Sequence, residues 1–262
     1  MNTFGLRVAA WGVLGVAYVY VLAPAAVIVV DSFNSATSFP APFESFTLRW
    51  YAAMLHHDEF MASMRASMAL AALAALAASA CGILAAYALI RYPVPWRDAI
   101  STFLLGPILV PQILIGLAIL QLMGLSGIKV GYGGLLAAHT VYVLPFVLRL
   151  AMTSLARFDF TLEEAARSLG ASRLQTFRCV TLPIIRPGVT AGFVFAFILS
   201  FVNLPVSLFL TSPQTATLPI VMFSYMEARI DPLVAAVASA VLIGAILITL
   251  TLERVFKLRL LG

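Results

Sequence analysis

Six separate stretches of this sequence are long and apolar enough to cross a lipid bilayer: 8–30, 64–90, 99–123, 135–155, 188–210 and 233–252. A helix needs about 20 predominantly apolar residues to span the hydrocarbon core. Lipid offers no water to satisfy backbone N–H and C=O groups, so stretches of this length are expected to fold as helices. The sequence therefore predicts an all-α membrane protein with six transmembrane helices, read as a single membrane domain over 1–262. Composition agrees: 62% of residues are hydrophobic and 10% charged, and the mean hydropathy is +1.03, far from the balance of soluble domains. Ala23-Pro24-Ala25 resembles a signal-peptide cleavage site, but the apolar run before it exceeds the roughly 7–15 residues of such segments, so it reads as a retained helix.

An even number of spans puts both termini on one side, and the distribution of Lys and Arg says which, because basic loops stay cytoplasmic. With the N-terminus inside, twelve basic residues fall on the cytoplasmic side: Arg7, Arg91, Arg97, Arg149, Arg157, Arg167, Arg173, Arg178, Arg186, Arg254, Lys257 and Arg259. Four fall outside: Arg49, Arg65, Lys129 and Arg229. The net charge of +5 is thus a topology signal spread over loops, with no basic face that would imply a nucleic-acid partner. Cys81 and Cys179 lie far apart in this topology, lack metal-ligand spacing and read as reduced.

Within the spans, Pro107 and Pro111 precede Gln112 and Gly116 in the third, and the fourth holds Tyr142 and Pro145. Proline frees a carbonyl that needs another partner, so these helices are expected to kink inside the bundle. The alanine-rich second span and Gly188/Gly192 in the fifth predict close helix packing. Gln112, Tyr142, Ser200, Asn203 and Ser207 are candidates for the substrate pathway, since polar side chains at membrane depth face cavities or bundle interiors. Interhelical hydrogen bonding is the alternative reading of the same five residues. His139 has no charged neighbour and reads as a hydrogen-bonded packing residue. The polar loop 31–60, with Phe33, Phe39, Phe43, Phe46, Trp50 and Tyr51, predicts a short helix at the outer membrane surface.

The segment 156–187 leaves the membrane between the fourth and fifth spans. Thr161-Leu162-Glu163-Glu164 has capping-box spacing. Leu162, Ala165, Ala166 and Leu169 then form an apolar stripe at helical spacing, with Glu163 and Arg167 paired on the polar side. Gly170 can end that helix in a left-handed conformation. Ser172-Arg173-Leu174-Gln175 is a second capping box, starting a helix expected to stop at Pro183.

The pattern E-A-A-x3-G-x9-I-x-L-P is matched by Glu164-Ala165-Ala166, Gly170, Val180 in place of Ile, and Leu182-Pro183. With it, Asp31-Ser32-Phe33-Asn34, Leu48-Arg49-Trp50-Tyr51 and 200–210 make the chain resemble permease subunits of type I ATP-binding-cassette (ABC) importers, in the spermidine/putrescine branch. That resemblance implies a coupling helix that docks an ATPase dimer through Glu164, Ala165, Ala166 and Gly170, with Glu163 and Ala171 beside them. It further implies a second permease subunit, an extracytoplasmic solute-binding protein, a place in the bacterial inner membrane, and ATP with Mg on the partner ATPase. The sequence itself lacks the GxxxxGK[ST] phosphate loop, so no nucleotide chemistry by that route and no cofactor is expected in this chain.

The substrate implied by the resemblance is polyamine-like or another small amino-bearing solute, although no Asp or Glu falls inside a span, which argues against a polycation. Two other classes remain open at this point. An ion-coupled secondary transporter or channel would suit the kinked spans, and a membrane-embedded enzyme would need a nucleophile or metal constellation, for which HExxH and GxSxG are missing.

Overall fold

In a computed structural model, residues 3–38, 42–229 and 231–256 are described. Phe39, Lys257 and Arg259 lie outside them. The described residues are helical almost throughout, and their one β-type pairing is the isolated bridge Asn34–Phe46. In chain order the helices are α1 (Thr3–Asp31), α2 (Arg49–Leu55), α3 (Asp58–Arg91), α4 (Arg97–Leu105), α5 (Gln112–Leu125) and α6 (Tyr132–Leu155). They continue with α7 (Thr161–Ser168), α8 (Arg173–Thr176), α9 (Leu182–Phe201), α10 (Leu218–Ala228) and α11 (Leu233–Phe256). Five helices are long and apolar enough to cross a membrane, or six if a bent pair counts as one span.

That bent pair is the third predicted span. Arg97–Ile108 and Gln112–Leu125 meet at 103°, so 99–123 is broken where a single helix was expected. The cause is local: Pro107 opens a 3₁₀ turn over Gly106–Ile108, and Pro111 takes an extended conformation (ψ 129°) that caps α5. Proline also turns the residue before it away from helical geometry. The fifth span ends early for a similar reason, since α9 stops at Phe201 and 202–210 is turn, with Pro205 inside it. At its other end α9 begins sooner than expected. Pro183 does not stop the α8 helix; it sits in the first turn of α9, where its missing N–H costs little, and a π turn over Phe177–Thr181 joins the two. α10 was not anticipated from the sequence.

The chain divides into two compact units. One comprises Met1–Met61 and Met222–Leu247. Here Asn34 organises the polar loop: its Oδ1 accepts from the N–H of Ala36 (3.2 Å) and Glu44 (3.0 Å), and its Nδ2 donates to the Pro42 carbonyl (3.1 Å). Trp50 Nε1 donates to the Asn34 carbonyl (2.8 Å) and Arg49 Nη2 to that of Ala36 (2.9 Å). Phe33 stacks on Phe46 at 4.9 Å, and the Tyr51 hydroxyl meets Ser32 at 2.8 Å. The Asp-Ser-Phe-Asn and Leu-Arg-Trp-Tyr elements thus fold onto each other, the short surface helix α2 among them.

The other unit comprises Ala62–Val221 and Ile248–Gly262. Its core is α6, whose Leu135, Ala138, Val143, Val147, Leu148, Ala151 and Leu155 are fully enclosed. α9 lies directly on it: a Cβ at Gly188 would collide with Ser154, and one at Gly192 would stand 3.3 Å from Val147 Cα. This is the small-residue packing that lipid, offering no hydrophobic drive between helices, requires. On α3, the Ala71, Ala74, Ala75 and Ala78 side chains are buried, and a Cβ at Gly82 would touch Val147 and the Leu148 backbone at 3.2 Å.

Candidate functional site

Two polar constellations stand out in the larger unit, and the first is the insert between α6 and α9. The expected capping box at Thr161 does not form. Phe160 takes the N-cap position with no side-chain bond, and the Asp159 carboxylate accepts the Thr161 N–H at 3.0 Å instead. That bond holds the Asp159 carboxyl below its ordinary pKa. The far end of α7 closes in a Schellman arrangement: Ala171 N–H donates to the Ala166 carbonyl (3.1 Å) and Gly170 N–H to that of Arg167 (3.0 Å). Gly170 makes the turn at φ +91°, which a Cβ would penalise. The second capping box is complete, with Gln175 N–H to Ser172 Oγ at 3.3 Å and Ser172 N–H to Gln175 Oε1 at 2.8 Å.

The two carboxylates of α7 part company. Glu163, expected beside Arg167 on the polar side, is 2% exposed. Its oxygens accept from Tyr87 Oη (3.1 and 3.2 Å), Arg91 Nε (3.1 Å) and Thr181 Oγ1 (2.5 Å). A carboxylate so enclosed is tolerable only when paired, and removing one partner of such a pair costs about 3–5 kcal/mol. Phe160 and Ala166, one turn to either side, are half-buried on the same inward face, and the Arg91 guanidinium lies 5.1 Å from the Phe160 ring.

Glu164 points the other way, 66% exposed, 3.5 Å from Arg91 Nη2, a contact too solvated to contribute much. The outward face also carries Leu162 (44% exposed), Ala165 and Leu169 (89% exposed). The predicted apolar stripe therefore splits, with Ala166 turned in and the rest unpartnered. An open concavity lined by Glu164, Arg167, Ser168, Ala171, Ser172 and Arg173 adjoins it.

The second constellation gathers all five pathway candidates. Asn203 Nδ2 donates to Gln112 Oε1 (2.9 Å), and Gln112 Nε2 donates to the Tyr142 hydroxyl (3.0 Å). His139, fully buried, bridges Ser200 through Nδ1 (2.8 Å) and Ser207 through Nε2 (2.9 Å). Ser207 Oγ donates to the Asn203 carbonyl (3.2 Å), so it accepts from a protonated Nε2, and Nδ1 accepts from Ser200. Asn203 Oδ1 also accepts the Val206 N–H at 2.8 Å, fixing the turn that follows α9. Every member is satisfied within the bundle, as burial demands.

Tyr87, Arg91 and Thr181 were missed from sequence. Tyr87 and Arg91 stand four apart near the end of α3 and share a face, the one local signal available. Their meeting with residues more than 70 positions away carries none.

The family described as binding-protein-dependent transport system inner membrane component matches residues 78–259, and the chain belongs to it. It is a type I ABC importer permease by that membership and by its relatives. It is 31% identical over 246 residues to the spermidine/putrescine transport system permease protein PotC of Escherichia coli (strain K12), covering 94% of this chain and 93% of that protein. To the putrescine transport system permease protein PotI of the same strain it is 30% identical, covering 89% and 85%. The putative 2-aminoethylphosphonate transport system permease protein PhnV of Salmonella typhimurium is 31% identical, covering 91% and 90%. Among solved structures, a bacterial ABC transporter involved in import of the acidic polysaccharide alginate shares the fold, with a TM-score of 0.71 at 17% identity over 98% of this chain and 96% of that one.

Proposed function

We propose that this chain works as one transmembrane domain of an ATP-driven importer that moves a small amino-bearing solute, polyamine-like in chemistry, by alternating access. The observation that carries the reading is the outward face of α7, where Leu162 and Leu169 are exposed beside Glu164 while the rest of the insert is capped and anchored. An apolar face held open in this way suits a groove on a separate ATPase, with Glu164, Ala165, Ala166, Gly170 and Ala171 at or beneath the contact. ATP and Mg then belong to that ATPase pair, and this chain is not itself an enzyme. A second permease subunit completes the pathway, a solute-binding protein delivers the solute from outside, and both termini face the cytoplasm, as the basic loops favour.

The substrate class rests on the relatives. Spermidine, putrescine and 2-aminoethylphosphonate, named for PotC, PotI and PhnV, share a primary amine. Gln112, Tyr142, Ser200, Asn203 and Ser207 offer neutral oxygens that suit an ammonium group without the carboxylates a tightly held polycation would call for. In this reading their mutual bonding is the closed pathway, which parts as the bundles rock. The test is uptake into proteoliposomes holding the chain with the ATPase, second permease and binding protein that co-purify with it. ATP-dependent accumulation of labelled putrescine, spermidine or 2-aminoethylphosphonate is expected. Solute flux through the chain alone without ATP would overturn the reading.

A further inference from the structure

Among the described residues Glu163 is the one buried carboxylate, and its three partners come from outside its own helix. Tyr87 and Arg91 lie on the last turns of α3, and Thr181 closes the π turn that runs into α9. Two long helices and the insert therefore meet on a single side chain. α7 is only 8 residues long, too short to hold its own geometry in isolation. Its link to the rest of the bundle rests on the Phe160 and Ala166 face, the two flanking turns and this carboxylate, beside the solvated Glu164–Arg91 contact. π turns are rare and concentrate at functional positions; here the π turn carries Thr181, the group that reaches Glu163.

We infer that Glu163 is a positioning residue, a latch that makes α7 move as one body with α3 and α9. The inference rests on the reading of α7 as the ATPase-docking helix. It assigns to Glu163 a role the docking motif does not: displacement imposed on the outward face by the ATPase reaches two spans through the inward carboxylate. Without the latch, α7 can still be gripped, but its motion is spent in rotation about the Gly170 and Phe160 ends.

The experiment uses the assembled transporter in proteoliposomes, measuring solute moved per ATP hydrolysed alongside ATPase co-purification. Glu163→Gln keeps the side-chain shape but loses the ion pair to Arg91. It is expected to retain the ATPase subunit at wild-type stoichiometry while uptake per ATP falls about tenfold, within the usual range of coupling between sites. Glu164→Ala with Leu169→Glu, on the outward face, is expected to lose the ATPase itself. A merely structural role would lower the yield of assembled transporter and leave uptake per ATP unchanged. Should Glu163→Gln fail to accumulate, Tyr87→Phe and Thr181→Val each remove one donor and are expected to lower uptake per ATP by a few-fold.

A spectroscopic arm reads the latch directly. With Cys81 and Cys179 replaced by Ser, spin labels at Leu84 and Ser168 are expected to give a narrow distance distribution that broadens in Glu163→Gln. Unchanged uptake per ATP in Glu163→Gln, or in both single-donor variants, overturns the inference. So does loss of the ATPase from Glu163→Gln as from the outward-face variant. Wild-type assemblies that show no ATP-driven uptake overturn the reading of function instead.

Discussion

Replacing Gly116 by Ala tests whether the polar network depends on the α5 backbone lying directly against the turn beyond α9. A Cβ at 116 would stand 2.6 Å from the Val206 carbonyl oxygen and 3.3 Å from its carbon, both backbone atoms with no rotamer to escape into. Ordinary contact begins near 3.4 Å, so Val206 must retreat by roughly 0.8 Å. Its N–H is held by Asn203 Oδ1, and Asn203 is in turn bound at 2.9 Å to Gln112, one helical turn before Gly116. A retreat of that size carries the Asn203–Gln112 bond past the range of a hydrogen bond, roughly 3.5 Å. Overpacking costs about 1–3 kcal/mol, and a lost interhelical hydrogen bond adds about 1 kcal/mol or less. At about 2–4 °C per kcal/mol for a chain of this size, thermal melting in detergent is expected to fall by roughly 5–10 °C. Gly124→Ala on the same helix is the control, since nothing lies within 4 Å of its Cβ, and removing a helical Gly gains about 0.5–1 kcal/mol. Equal melting temperatures for the two variants would refute the reasoning.

His139→Ala leaves the Ser200 and Ser207 hydroxyls without their shared partner; a loss of about 1–2 kcal/mol is expected, read as a lower melting temperature, whereas Gly133→Ala, a helical position with open space around it, is expected not to lower it. Gly170→Val forces a branched side chain to φ +91° at about 1–2 kcal/mol, and ATPase co-purification is expected to drop with it. Asn34→Ala removes three bonds that order the loop before α2, so limited proteolysis between 31 and 48 is expected to speed up while the Ala62–Val221 unit stays protected. For Asp159, a carboxyl whose folded pKa is depressed by the Thr161 N–H, the bond holds above the ordinary carboxyl range and is lost as pH falls through the lowered value. The protection factor of the Thr161 amide, taken against its intrinsic exchange rate at each pH, is expected to fall in acid, and Asp159→Asn is expected to abolish that pH dependence.

What could be read from the sequence was set by interactions that are local or averaged over many residues. Span positions follow from summed hydropathy, and the Ser172–Gln175 box, the Gly170 turn and the Gly188/Gly192 packing face each depend on a few neighbouring side chains. Breaks were harder. Pro107 and Pro111 announced a kink, yet whether two prolines bend a helix gently or fold it through 103° depends on what receives the freed backbone groups. Thr161 had the right spacing for a cap, yet Phe160 holds the N-cap position and the Asp159 carboxylate, two residues before Thr161, accepts the Thr161 N–H, a carboxylate being a stronger acceptor than a hydroxyl. Glu163 is the clearest failure: helical periodicity paired it with Arg167, while the partner it finds, Arg91, is a long-range matter no window can register.

Under the docking role proposed above, the fate of that one residue also explains how an insert so small can serve as a mechanical part. A helix of two turns is marginal by itself, and one that must present leucines to a partner cannot bury them to gain stability. Its order has to come from elsewhere. One end is closed by the Asp159 carboxylate, which accepts the Thr161 N–H, and the other by the backbone bonds of the Ala166–Ala171 Schellman turn, and its inward side is secured by a polar contact. A carboxylate is better suited to that inward side than a leucine would be, since Tyr87, Arg91 and Thr181 specify one position and one orientation, whereas an apolar contact of the same area would tolerate sliding. Successive helical residues point about 100° apart, so Glu163 and Glu164 necessarily face different surroundings, and the neighbouring pair can anchor inward and dock outward without competing.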